Sequence, residues 1–165
     1  MKILGIDPGS GIVGFGVVEK GNKPKMLGAG VIRTKIGESD ESRLVEAYEG
    51  MKELIEEFKP DVAAVEKLFF VQNITTGMKV SQSRGVILLA LAEAGIPLYE
   101  YAPNEIKMSM TGYGHAKKAQ IQEMVRVQLG LKKKPSPDDA ADAWAVAFTH
   151  ATSLRVPYYV MLARL

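Results

Sequence analysis

Three short strand-like runs follow one another at the start of the chain: KILGI at 2–6, GFGVVEK at 14–20 and MLGAGVIR at 26–33, with glycine or proline between them. At residue 41 the period changes. Leu44, Tyr48, Met51, Ile55 and Phe58 recur three or four apart up to Pro60, which is the spacing of an amphipathic helix over 41–58. The opening thus reads as a three-stranded antiparallel meander followed by helix. The remainder alternates: a buried strand at 61–66 (DVAAVE), a long helix over 73–94 closed by Gly95, a strand at 97–101 (PLYEY), then helices near 103–111, 116–129 and 137–154. Strands that follow helices need helices to cover them. The order therefore predicts an α/β protein with a five-stranded mixed sheet flanked by helices on both faces.

At 165 residues the chain has the length of one domain, and 47% hydrophobic residues suffice for its core. One unit over 1–165 is expected, with the last ten residues as a tail and KKKPSP, 132–137, as a flexible stretch. With no cysteine, disulfides and thiolate metal sites are excluded, so a metal has to use oxygen or imidazole. The 21 basic and 19 acidic residues leave a net charge of +2, which neither predicts nor excludes nucleic acid as a partner. MKILGID is too short for a secretory signal, and the apolar run Val86 to Ala92 is far below the roughly 20 residues that span a bilayer. A soluble, cytoplasmic protein that uses no membrane is the expectation.

The chemistry sits in carboxylates. Asp7 and Glu66 each end a buried strand, at the edge where open α/β sheets place their sites. Asp7 in Asp-Pro-Gly also suits a turn, and Glu66 an ordinary strand end. In SPDDAADAWAVA, 136–147, Ser136 reads as an N-cap, Pro137 as the first helical residue, and Asp138 and Asp139 as an acidic first turn. Capping accounts for Asp138. Asp142 lies one turn deeper among alanines and Trp144, where a charge needs a partner, and it shares a helix face with Asp139. Carboxylates from separate elements suit Mg2+, and two such ions can serve hydrolysis of a phosphodiester. His115 and His150 have no ligand-like spacing and read as structural or surface residues.

Gly5-Ile6-Asp7-Pro8-Gly9, Glu66-Lys67-Leu68-Phe69 with Asn73, Gln82-Ser83-Arg84-Gly85 and Asp139-Ala140-Ala141-Asp142-Ala143 together resemble, in order and spacing, the RuvC family of Holliday-junction resolvases. The resemblance implies a ribonuclease-H-like fold and a structure-specific endonuclease that resolves four-way junction DNA by paired symmetric nicks in recombination and repair. It makes Asp7, Glu66, Asp139 and Asp142 the catalytic, metal-binding carboxylates of a two-metal site for Mg2+, with Mn2+ able to substitute. It sets Lys107 and Lys118 near the DNA backbone, although Lys117 adjoins Lys118 and solvated helix surface is the alternative for Lys118. Asn73 and Arg84 are further DNA-binding candidates by the same resemblance. Phe69 would stack on an unpaired base at the junction centre, where a core role is the commoner fate of phenylalanine. Phe70 has no assigned role.

Two rivals are set aside on sequence grounds. An actin-like ATPase opens with a similar strand and turn but needs two lobes and a second glycine-rich phosphate turn, which this chain lacks. A non-catalytic junction-binding module would need no acidic quartet. The resemblance further implies a homodimer and the branch-migration complex RuvA-RuvB as partners. The apolar residues Val80, Val86, Leu88, Leu89 and Leu91 of the long helix fit an interface or burial equally.

Overall fold

The structure is a computed structural model that describes residues 1–68, 74–133 and 136–153. Phe69, Asn73, the 154–165 tail and part of the 132–137 stretch lie outside the described residues. The strands are β1 (Lys2–Asp7), β2 (Ile12–Glu19), β3 (Lys25–Arg33), β4 (Val62–Glu66) and β5 (Leu98–Tyr101). The helices are α1 (Asp40–Phe58), α2 (Ile74–Glu93), α3 (Pro103–Thr111), α4 (Lys118–Gln128) and α5 (Asp138–Thr152). They form one five-stranded sheet in the order β3-β2-β1-β4-β5. The meander β1–β2–β3 is antiparallel, whereas β4 and β5 join parallel to β1.

Alternation along the strands builds two cores. Leu4, Ile6, Val13, Val17, Ala63, Val65 and Leu98 point to one face and meet Met51 and Leu54 of α1 and Ile87 and Leu91 of α2. Ile3, Val18, Val62, Ala64, Tyr99 and Tyr101 point to the other, under α3, α4 and α5. Helix α5 lies at the centre of that second face and carries Ala141, Trp144, Ala145, Val146, Ala147 and Phe148 into it. His150, 4% exposed, is a satisfied core residue. Its Nδ1 is 2.8 Å from the Tyr101 hydroxyl, and its ring lies 4.0 Å from that of Tyr99.

The sheet surface beneath α5 is made of glycine. Gly5, Gly14 and Gly16 share that face, Gly5 opposite Gly16 and Gly14 opposite Asp7. A β-carbon at Gly5 would stand 2.2 Å from the Ala143 carbonyl oxygen and 2.5 Å from the Ala147 nitrogen. One at Gly14 would stand 2.2 Å from the Asp139 carbonyl oxygen, and one at Gly16 2.6 Å from the Trp144 Cα. Backbone therefore packs on backbone, a use of strand glycine that excludes any side chain.

Two sequence expectations need correction at the start of α5. Pro137, at φ −69° and ψ 159°, is the N-cap, so the helix begins at Asp138 and Ser136 does not cap it. A proline ring fixes φ at a value that fits the extended cap as well as the first helical position. Strand β2 also begins two residues earlier than its glycine suggested, because Ile12 and Val13 pair with Arg33 and Ile32. Gly5→Ala should lower stability by about 3 kcal/mol, the upper end of the range for overpacking, since the obstructing atoms are backbone. Denaturant unfolding measures it, and a loss under about 1 kcal/mol would show that α5 can lift freely from the sheet.

Candidate active site

The register of β1 on β4, with Ile6 beside Val65, brings the next residues, Asp7 and Glu66, out together at the sheet edge. Gly14, opposite Asp7, admits Asp139 from above. Asp142 follows one turn along α5 on the same side. Burial, then the charges of Glu66, Asp142 and Asp139, push the Asp7 carboxyl up to about 8. Burial and Asp142 also raise Glu66, against a hydrogen bond from Asp7 and the ammonium charges of Lys107 and Lys118, which favour its ionised form. Near neutral pH, Asp7 thus holds a proton that it donates to Glu66.

Lysines complete the cluster. A cavity of about 280 Å³ is lined by Glu66, Lys107, Lys118 and Asp142, with Pro103, Ile106, Ile121 and Ala145 as its apolar walls. Lys118, the first residue of α4, places its Nζ 2.8 Å from Asp142 Oδ2 and 2.7 Å from Asp138 Oδ2. Burial raises Asp142, while Lys118 works against that shift. The hydrogen bond from Lys118 holds Asp138 below the ordinary carboxylate range. The bond from Lys118 thus adds to the helix-start role of Asp138, and Lys118 is half-exposed surface that also lines this cavity. Asp139 is among the charges that act on Asp7, and its backbone lies against Gly14, the residue opposite Asp7.

A larger cavity of about 780 Å³ lies beside the C-terminal end of α5, lined by Tyr101, Met108, His115, Ser153 and others. Its one carboxylate, Glu105, is engaged by the Ala102 backbone N–H at 2.7 Å. Size therefore does not mark the chemistry here. Arg84 stands on the α1–α2 face and forms an ion pair with Glu100 of β5, so it already has a protein partner. Sequence reasoning passed over Arg43, which donates to the Ser10 carbonyl and the Thr34 hydroxyl, both at 2.9 Å, and so fastens the turn after Asp7. Nothing in the order of residues announces that contact. The glycines under α5 did leave a signal, since glycine inside a strand marks close backbone approach.

A model of the family described as crossover junction endodeoxyribonuclease RuvC matches residues 3–150. The chain belongs to the RuvC family. A member from Thermotoga petrophila is 52% identical over 156 residues, covering 94% of each chain, and one from Chloroflexus aggregans is 51% identical over 152 residues, covering 92% and 93%. A Thermus thermophilus RuvC structure aligns with a TM-score of 0.83 at 36% identity, covering 99% of this chain and 97% of that one. A second, of T. thermophilus RuvC in complex with Holliday junction substrate, aligns at 0.85 and 38%, covering 99% and 96%. The fold is accordingly the ribonuclease-H-like one, as the resemblance in the sequence implied.

Among the described residues no three carboxylate or imidazole groups form a ready-made cation cage. Lys118 instead engages one of the carboxylates, Asp142. The donor set still fits a divalent cation, because oxygen ligands crowd one half-buried place and one of them has to hold a proton to stay there.

The Asp7 shift fixes a pH dependence for the metal-free protein. Its folded pKa, about 8, lies above the ordinary 3.8, so the unfolded chain binds fewer protons between those values and stability falls as pH rises through them. Asp7→Asn should remove that slope. Without metal, the variant should melt higher than wild type at pH 8 and nearly together with it at pH 4. Parallel melting curves across that window would contradict the shift.

Proposed function

We propose that this protein resolves four-way DNA junctions by paired symmetric nicks, hydrolysing phosphodiesters at a Mg2+ site formed by Asp7, Glu66, Asp139 and Asp142. The convergence of carboxylates from β1, β4 and α5 at one strand edge carries this reading. Two Mg2+ ions there, or Mn2+ in their place, would supply activation of water and neutralisation of charge at the phosphate. Lys107 and Lys118 line the same cavity and can bind the phosphate oxygens.

Among the described residues no helix is long and apolar enough to cross a membrane, and the reading proposed here takes the cytoplasm as the place of action. Phe69 stacks on the base unpaired at the junction centre, with Asn73 and Arg84 as further DNA contacts. Arg84 has to share or exchange Glu100 to serve there. Fluorescence of 2-aminopurine at the junction centre reads the stacking, and an unchanged signal with Phe69→Ala removes it. The branch-migration complex RuvA-RuvB is the proposed partner on DNA.

Paired nicks need two active sites, and closed two-fold symmetry is the common solution. We assign the second copy to the outer face of α2. Met78 is 58% exposed and Leu89 52% exposed. Gln82, Gly85 and Ala92 complete the stripe at helical spacing, all exposed. A β-carbon at Gly85 would meet nothing, which leaves room for a partner helix to approach. Leu89→Arg should shift the protein to a monomer in light scattering and abolish paired cutting, whereas an unchanged dimer would place the interface elsewhere.

The reading as a whole is tested with a synthetic four-way junction and Mg2+. Asp7→Asn, Glu66→Gln, Asp139→Asn and Asp142→Asn should each lower cleavage by at least about 100-fold, while junction binding persists, because the amide keeps the shape and loses the charge that holds the ion. Near wild-type cutting by any of them would strike that residue from the site.

A further inference from the structure

The ammonium of Lys118 is shared between two carboxylates of α5. Asp142, at 2.8 Å, belongs to the proposed metal site; Asp138, at 2.7 Å, does not. The two aspartates stand four apart and so share a helix face, with Lys118 reaching them from the start of α4. Asp138 is 51% exposed on its side chain and Lys118 53%, so the pair adds little to stability in water. Its importance is positional. Once Asp142 turns to a cation, Lys118 loses one of its two anionic partners, and Asp138 is the one that remains. A lysine on a flexible four-carbon stem with no partner would spread over many rotamers.

We propose that Asp138 is a positioning residue that holds Lys118 at the rim of the cavity when Asp142 is engaged by metal, keeping the ammonium aimed at the phosphate. This rests on the Mg2+ site proposed above. The carboxylates facing Lys118 from other elements, Asp7 on β1 and Glu66 on β4, are also assigned to the metal, so they cannot substitute. Lys107 shares the cavity and repels Lys118, which adds to the need for an anchor on the outer side.

The test uses the full chain and a lysine-specific reagent such as formaldehyde with a borohydride, with the modified sites mapped by mass spectrometry and Lys117 as the internal standard. Isothermal titration with Mg2+ comes first, on wild type and on Asp138→Asn. In wild type, Lys118 should be modified several-fold more slowly than Lys117 both without Mg2+ and at saturation. In Asp138→Asn it should stay protected without Mg2+, through Asp142, and approach the rate of Lys117 when Mg2+ saturates the site. Asp138→Glu should restore protection. In cleavage, Lys118→Ala should cost several-fold in wild type and little in Asp138→Asn, because the lysine is already misplaced there. Equal protection of Lys118 in the Mg2+-loaded wild type and Asp138→Asn overturns the role of Asp138 and leaves the metal site standing. An absence of Mg2+ binding to wild type overturns both.

Discussion

Contact between the backbone of α5 and the backbones of β1 and β2 is the constraint on which the rest depends. Gly5, Gly14 and Gly16 remove every side chain from the strip of sheet under the helix, and the small residues of α5 fill the space that is left. A wider helix-on-sheet separation would move Asp139 away from Asp7 and weaken the action of its charge there. Here the Asp139 carbonyl oxygen lies 2.2 Å from the place a Gly14 β-carbon would occupy. The site is thus a consequence of packing, and its precision derives from rigid strands and a buried helix.

Such closeness has an electrostatic cost that the fold partly offsets. Asp7 keeps a proton, Lys118 is drawn in between Asp138 and Asp142, and Lys107 adds a second positive charge near Glu66. Clusters of perturbed groups in a cavity are a mark of functional sites, and a divalent cation relieves the same repulsion more fully than a proton. The proton on Asp7 and the ammonium groups of Lys107 and Lys118 thus offset part of the repulsion within the cluster.

Element order was legible because period and punctuation agreed. Each strand and helix falls within about two residues of its sequence expectation, and the pattern put Asp7 and Glu66 at strand ends of one sheet, whereas bringing Asp139 and Asp142 to the same place came only from the family resemblance. What escaped was tertiary. The glycines of β2 read as ordinary members of a strand, and only the packing shows them to be the floor beneath α5. Asp138 read as a helix-start charge because its partner, Lys118, lies twenty residues away on another helix. Arg84 carried a DNA role by resemblance, while its pairing with Glu100 required knowing which strand lies beside α2. Arg43 gave no sign at all of holding the turn after Asp7.

Anomalous scattering from crystals of the protein soaked in Mn2+ tests the central claim most directly. Metal density should appear bounded by Asp7, Glu66, Asp139 and Asp142, with Lys118 still against Asp138. Absence of density at these four carboxylates under saturating Mn2+, or an ion bound by Asp138 in place of Asp139, would contradict it.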